Sequence, residues 1–365
     1  MSNRLRFFVV CVFGAWLLAP LFLLIVPLKF CAPVDENRKM HDLPAWSTIR
    51  NPAGFIDTVN GTFAWFEDHF GARDLMIRCK NQIDFTLFAK SDKVHVGAGG
   101  WLFLRNPLDS YIVYLERQPT TIIDDKVKEM EVLAQYLDTR GIKLIVMVVP
   151  LKWTVYSESL PSSAPRLPDL PLRHCTYWKK KLKESHAFTT FDPLDILQGM
   201  KSETDSFYRT DYHWSQVAAL RVSKELLRIA VQITDSPVSS TQFNEEFQVE
   251  TLMGDSSRYL PIWRQPTEEA LFFKSKEPYP PQDVELPYQM VFRNSGRELL
   301  PTAVILGDSF FWNIYFSGFQ RHFKELYFGH IQRPSRMDIL RQPPKNTRVV
   351  ILELLEANYP IDFHL

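Results

Sequence analysis

The sequence predicts an α/β protein whose sheet is buried on both faces, preceded by an apolar N-terminal helix. Three observations carry this. The stretches KLIVMVVP (Lys143–Pro150), TAVILGDS (Thr302–Ser309) and RVVILELL (Arg348–Leu355) are apolar runs of strand length, the pattern of strands covered on both faces. Amphipathic helices alternate with them, as in Asp124–Arg140, where Val127, Met130, Leu133, Ala134 and Leu137 share a face and Gly141 ends the helix. At the N-terminus, Phe7–Val26 is an uncharged run of 20 residues, a helix of about 30 Å and so the thickness of a bilayer core.

Taken in chain order, the apolar run reads as an uncleaved anchor rather than a signal peptide. Its exit, VPLKFCAP, offers no small-x-small cleavage site, and bulky Phe30 precedes Cys31 where a lipoprotein carries a small residue. Pro20 is tolerated in such a helix. Arg4 and Arg6 lie before the run, while Asp35 and Glu36 soon follow Lys29. The charge asymmetry places the N-terminus in the cytoplasm. The expected organisation is a cytoplasmic tip and transmembrane anchor over 1–30 and a periplasmic domain over 31–365, held at the inner membrane. Beyond the anchor, Cys31–Asn60 is proline-punctuated and is expected to wrap the domain surface. Helical spacing is predicted over Gly54–Phe70 and Asp74–Phe88, then two short strands joined by a glycine turn in KVHVGAGGWLFL (Lys93–Leu104), and a helix over Ser215–Ile233.

Composition narrows the function classes. Lysine plus arginine and aspartate plus glutamate number 42 each, so charge provides no reason to expect a nucleic-acid partner. Outside the anchor the cysteines are Cys31, Cys79 and Cys175, an odd, widely spaced set without CxxC spacing. One bridge, Cys79 with Cys175, and three unpaired thiols are both compatible with it. His41, His69, His174 and His213 lack partners at metal-ligand spacing. No metal and no cofactor are expected.

Two short blocks carry nucleophilic chemistry. TDYHWS (Thr210–Ser215) sets Asp211 two residues before His213; in an extended backbone these project from one face, so Asp211 would orient His213. ILGDSFFW (Ile305–Trp312) ends a buried strand in Gly-Asp-Ser, placing Ser309 in the crevice where α/β proteins bind ligands. A serine hydroxyl there needs an oriented histidine as base. A second Gly-Asp-Ser, Gly254–Ser256, follows the polar stretch TQFNEEFQVET rather than a buried strand, so Asp255 reads as a turn residue and Ser309 as the nucleophile. Among the tryptophans most read as core; Trp312, three residues from Ser309, is the candidate sugar platform. Asn294 and Asn313 are possible polar contacts, and the backbone N–H of Ser309 is the one assignable oxyanion donor.

Asp-x-His-Trp followed about a hundred residues later by a strand and Gly-Asp-Ser-Phe resembles the AlgJ and AlgX alginate O-acetylation proteins, a permuted branch of the SGNH hydrolases in which the Asp/His block precedes the serine. ENRKMHDLP (Glu36–Pro44), FEDHFGARDLMIR (Phe66–Arg78), VGAGGWLFL (Val96–Leu104) and VPLKWTVYSESLP (Val149–Pro161) resemble family blocks in the same order. Two departures stand out. ELLEANYP (Glu353–Pro360) replaces a Glu-Arg pair frequent after the last strand, and the chain stops at Leu365, so the carbohydrate module that follows in AlgX is not expected.

The resemblance implies an SGNH hydrolase-like, three-layer α/β/α domain with Ser309, His213 and Asp211 as triad. It implies acetyl transfer through an acetyl-serine to hydroxyls of an exported polysaccharide, and an MBOAT-type membrane acyltransferase as partner. Two alternatives remain: a polysaccharide acetylesterase using the same triad, and a non-catalytic glycan-binding scaffold.

Overall fold

The computed structural model describes residues 3–25, 31, 33–34, 39–46, 51–106, 108–109, 120–164, 173–238, 242–275, 287–296, 298–356 and 363. The chain falls into two compact units, one of Met1–Ser91 with Leu260–Gln265, the other of Asp92–Tyr259 with Pro266–Leu365.

The first unit is helical. Its first helix, α1 (Asn3–Ile25), covers residues 7–25 of the apolar run, Val26 lying outside the described residues, and Phe7, Phe8, Val10 and Leu18 are exposed along it. Among the described residues no helix is long and apolar enough to cross a membrane; the side chains at 16, 20, 21 and 23–25 lie outside the described residues. Helix α2 (Pro52–His69) starts where Asn51 accepts the Gly54 N–H and Pro52 supplies a preset φ. Helix α3 (Arg73–Phe88) ends in a left-handed Ala89. The Leu260–Gln265 segment belongs to this unit because Gln82 accepts the N–H groups of Trp263 and Arg264, and Arg78 donates to the Ile262 carbonyl.

The second unit opens with the predicted strand pair, β1 (Val94–Val96) antiparallel to β2 (Leu102–Leu104). Left-handed Gly99 and Gly100 make the turn between them. Helix α4 (Thr120–Asp138) buries Val127, Met130, Leu133, Ala134 and Leu137, the predicted face, and left-handed Gly141 turns the chain into β3 (Lys143–Val149). There follow α5 (Lys152–Val155), α6 (Arg173–Glu184), β4 (Thr189–Phe191), α7 (Leu194–Gly199) and α8 (Gln216–Thr234). A side hairpin pairs β5 (Phe247–Leu252) with β6 (Glu268–Phe273) around the one-turn α9 (Asp255–Arg258). The chain ends through β7 (Met290–Arg293), β8 (Thr302–Gly307), α10 (Phe311–Phe316), β9 (Glu325–His330), α11 (Arg336–Arg341) and β10 (Thr347–Leu355).

The main sheet has the order β4-β3-β10-β8-β9-β7. Its first five strands are parallel and edge strand β7 runs antiparallel to β9. Every residue of β8, and every residue of β10 except Arg348, is buried. Successive strand residues point to opposite faces, so both faces are covered. Along the sheet the chain runs one way from β3 to β4 and the other way from β8 to β9, with the last strand filling the space between. That reversal is the topological switch at which open α/β sheets hold their sites, beyond the carboxyl ends of the strands.

The four cysteines are all outside disulfides. Cys175 is buried and its thiol donates to Glu356 instead of forming the Cys79–Cys175 disulfide.

The sheet centre is a row of isoleucines, Ile145 and Ile305 flanking Ile351 in register, with Ile145 and Ile351 fully buried. Replacing Ile351 by Ala removes three carbons from a site packed on both sides. We expect a loss of about 2–5 kcal/mol in unfolding free energy, measured by denaturant titration with an unchanged m-value.

Candidate active site

Three loops meet at the carboxyl edge of the sheet. Ser309 follows β8 at the tip of a turn before α10, exposed while the neighbouring Asp308 and Phe310 are buried. A buried strand that stops abruptly at Gly307 leaves the next side chains to project from its end. The placement expected for the Gly-Asp-Ser block is the one observed.

The Asp-His block is not an extended segment, as expected from its spacing, but a tight bend. A bridge between Phe207 and Trp214 closes the loop, and Asp211–His213 lie on bends within it. Asp211 Oδ1 accepts both the backbone N–H of His213 at 2.9 Å and its ring Nδ1 at 2.8 Å. The Asx turn thus brings the pair together within the bend, with no need for the shared face of a strand. His213 Nε2 lies 2.8 Å from Ser309 Oγ. With the Nδ1 proton directed at Asp211, Nε2 is the lone-pair nitrogen facing the serine hydroxyl. The two blocks are tied again by Trp214 Nε1 donating to the Phe310 carbonyl, and by Asn313 donating to the Trp214 carbonyl. Asn313 is therefore a strut, as is Asn294, which donates to the carbonyls of Gln320 and Phe323.

Asp211 has both carboxylate oxygens occupied, because Oδ2 accepts the backbone N–H of Asp255 at 2.8 Å. Burial pushes this carboxyl up, but its bonds to His213 and the Asp255 N–H outweigh burial and bring it down to about 2. The second Gly-Asp-Ser thus has a role that the sequence did not reveal. It is a docking turn: a Cβ on Gly254 would stand 2.5 Å from Asp211 N and Thr210 C, so only glycine lets α9 approach the Asp-His loop this closely. Ser256 itself is fully buried, unavailable to a substrate.

Two further residues hold the loop, both unsignalled by their local sequence. Glu268 at the start of β6 accepts the N–H groups of Arg209 and Thr210 and the Thr210 hydroxyl. Lys152, at the first turn after β3, is almost fully buried and donates to the carbonyls of Leu102, Arg209 and Asp211 at 2.6, 2.8 and 2.9 Å. Burial lowers it to about 7, against the pull of Glu268, Asp211 and Asp205. Three carbonyl acceptors use all three protons of the ammonium, whereas a neutral amine could serve two. Glu356, just past β10, in turn fixes the start of that turn by accepting from Leu151 N and Thr154 Oγ1.

Among the described residues one trio could bring donor atoms around a cation: Asp211, His213 and Asp255, within 4.8 Å of one another. His213 Nδ1 already faces Asp211, so a cation there would compete with the hydrogen bond that orients the imidazole. Elsewhere, His41 pairs with Asp68 and His69 with the Trp65 carbonyl; the His174 side chain lies outside the described residues. Trp312 is 44% exposed, in contrast to the buried Trp101, Trp153, Trp178 and Trp214.

A mostly parallel α/β sheet with a Ser-His-Asp relay past its carboxyl edge defines the SGNH hydrolase-like class. The chain belongs to the family described as the SGNH hydrolase-like domain of acetyltransferase AlgX, whose model matches residues 94–315. It is 28% identical over 258 residues to the probable alginate O-acetylase AlgJ of Pseudomonas aeruginosa, covering 65% of this chain and 61% of that one. Its identity to the probable alginate O-acetylase AlgJ of Azotobacter vinelandii is 26% over 237 residues, covering 60% and 58%. The match thus spans less than two thirds of the length of these curated relatives. In fold it is similar to Bacillus cereus PatB1 with a sulfonyl adduct, with a TM-score of 0.51, 14% identity, and coverage of 75% of this chain and 97% of that one.

The depressed Asp211 has a measurable consequence. Its folded value lies below the ordinary 3.8, so the stability it contributes is present above pH 4 and lost as pH falls through about 2. We expect the stability advantage of the native chain over Asp211→Asn to shrink by about 2 kcal/mol between pH 5 and pH 2, measured by denaturant unfolding at each pH.

Proposed function

We propose that the protein is an O-acetyltransferase that moves acetyl groups onto hydroxyls of an exported polysaccharide, with Ser309 as nucleophile, His213 as general base and Asp211 as its orienting anion. The observation that carries this reading is the unbroken relay from Asp211 Oδ1 through His213 to Ser309 Oγ, 2.8 Å at each step. Family membership and the acetylase names of the relatives support the acyl group and the polysaccharide class.

In the first half-reaction Ser309 Oγ attacks the carbonyl carbon of an acetyl donor while His213 Nε2 takes the hydroxyl proton. The Ser309 backbone N–H is the assigned donor to the developing oxyanion; such donors contribute about 3–4 kcal/mol each. The protonated imidazole, stabilised by Asp211, then gives its proton to the leaving group. In the second half-reaction a sugar hydroxyl loses its proton to His213 and attacks the acetyl-serine, releasing Ser309. Trp312 is the platform on which the acceptor ring stacks.

We extend the proposal to location. The uncharged run within α1 anchors the layered α/β/α domain at the inner membrane with its site in the periplasm, beside a membrane acyltransferase of the MBOAT class that supplies acetyl groups. The protein should then fractionate with inner membranes with its N-terminus intact; a mature chain starting after residue 30 in the soluble periplasm would refute the anchor.

Ser309→Ala should abolish turnover of an activated acetyl ester, and Ser256→Ala should retain most of it. Asp211→Asn should cost at least ~10²-fold, and Gly254→Ala, which displaces the backbone on which Asp211 rests, should resemble Asp211→Asn. Adding a soluble polysaccharide or oligosaccharide acceptor should divert acetyl from water to ester, detected by mass spectrometry. Free acetate as sole product at every acceptor concentration would favour an esterase instead.

A further inference from the structure

Beneath the nucleophile lies a carboxyl group that the reaction does not use. Glu353 sits near the carboxyl end of β10, opposite Met147 of β3, and is fully buried. No side chain among the described residues hydrogen-bonds its oxygens, and the backbone N–H that faces it is that of Asp308. It presses on the strand end that leads to Ser309: a Cβ built on Gly307 would stand 2.1 Å from Glu353 Oε2 and 3.1 Å from its Cβ. The carboxyl thus fills the volume that a side chain at position 307 would occupy, one peptide before Asp308 and two before the nucleophile. A polar group buried with so little hydrogen bonding is costly, and an ionised one far more so. Leucine or methionine would fill a sheet interior without that penalty, so the acid calls for an explanation.

We propose that Glu353 is a positioning residue for Ser309: its carboxyl group packs under Gly307 and Asp308 and seats the nucleophile turn only while it is uncharged. Among the described residues no cation pairs with it. From the end of β8 it meets buried Asp308, which shares its sign and is itself pushed up by burial. From β3 it meets the apolar run Leu144–Val149, whose one flanking charge, Lys143, pairs with Asp138. From α8 the ionisable groups Arg221, Lys224 and Arg228 are engaged by Glu203, Glu245 and Glu225. His213 and His330 act on Asp308 rather than on Glu353. Burial first, then the Asp308 charge, hold Glu353 well above the usual carboxylate range, and the neighbouring Asp308 N–H, which opposes them, is outweighed. Deprotonation would place a second negative charge against Asp308, and the cheapest relief is for the Gly307–Ser309 turn to lift from the strand and draw in water. Ser309 would then leave the 2.8 Å line to His213. The inference rests on Ser309 being the nucleophile.

The test compares the full-length protein with Glu353→Gln, which keeps shape and polarity but has no proton to lose. Linkage sets the sign. A folded value raised above the unfolded one contributes stability that is whole below about pH 4.3 and is lost as pH rises toward the folded value. Melting temperatures should therefore diverge in favour of Glu353→Gln between pH 5 and pH 8. In parallel, the ratio of variant to native kcat/KM on p-nitrophenyl acetate should rise at least ~3-fold between pH 6 and pH 9. The ratio isolates Glu353, because every other ionisable group is common to both proteins. Glu353→Leu serves as the second uncharged variant and should show the same two trends. A pH-independent ratio and melting gap in active protein would overturn the proposal alone, as would a uniform loss of more than ~10-fold in both uncharged variants. A native protein with no ester turnover at any pH would instead overturn the acyl-transfer reading on which the proposal rests.

Discussion

The Asp211 carboxylate is where separate stretches of chain are held in one geometry. One oxygen takes the backbone and ring N–H groups of His213, the other the Asp255 N–H, and the Asp211 carbonyl takes a proton of Lys152. Through these contacts the end of β3, the Asp-His bend and the α9 turn become one rigid body. A buried anion with both oxygens hydrogen-bonded is stable where an unsatisfied one would not be. The result is an imidazole held in one tautomer, aimed at a serine delivered by a different strand.

Parallel topology explains why these pieces converge. β3, β10 and β8 run side by side in the same direction, so the segments leaving their carboxyl ends emerge at one edge: Lys152 after β3, Glu356 after β10 and Ser309 after β8. The Glu356 carboxylate fixes Leu151 N, the peptide before Lys152. Lys152 reaches the Asp-His bend, and Trp214 and Asn313 tie that bend to the serine turn. Polar groups under this edge of the sheet are expensive to bury, and here each serves the position of a neighbour. Lys152, lowered to about 7 by burial, and Glu353, raised by it, are shifted in the directions expected for desolvated groups of opposite charge type.

The family model ends at Tyr315, before β9 and β10, although β10 is the central strand and leads from Glu353 to Glu356. Of the two glutamates in the ELLEANYP block, Glu353 is buried within β10 and Glu356 accepts the Leu151 N–H. The block's later residues, 357–360, lie outside the described residues.

Local pattern was enough to expose the β1–β2 pair, β3, β8, β10 and the five longest helices, but not β4, β5, β6, β7 or β9; a run such as Val349–Leu355 is apolar at odd and even positions alike and only a doubly covered strand tolerates that. It also singled out Ser309 over Ser256, because only the former follows such a strand. The chemistry of Asp211 and His213 was legible from residue type and separation, but their conformation was not: an Asx bend and a strand both bring positions i and i+2 together, and the closing Phe207–Trp214 bridge decides between them. Gly254, Glu268, Lys152 and Glu353 were silent in the sequence. A glycine needed for close approach looks like any turn glycine until the opposing backbone is known. A lysine on a short helix looks solvated until three carbonyls from distant segments surround it. Sequence determines which groups can do the chemistry and where strands must be buried. Tertiary structure alone decides which buried polar atoms meet, because those contacts join residues 44 to 205 positions apart and no local period encodes them.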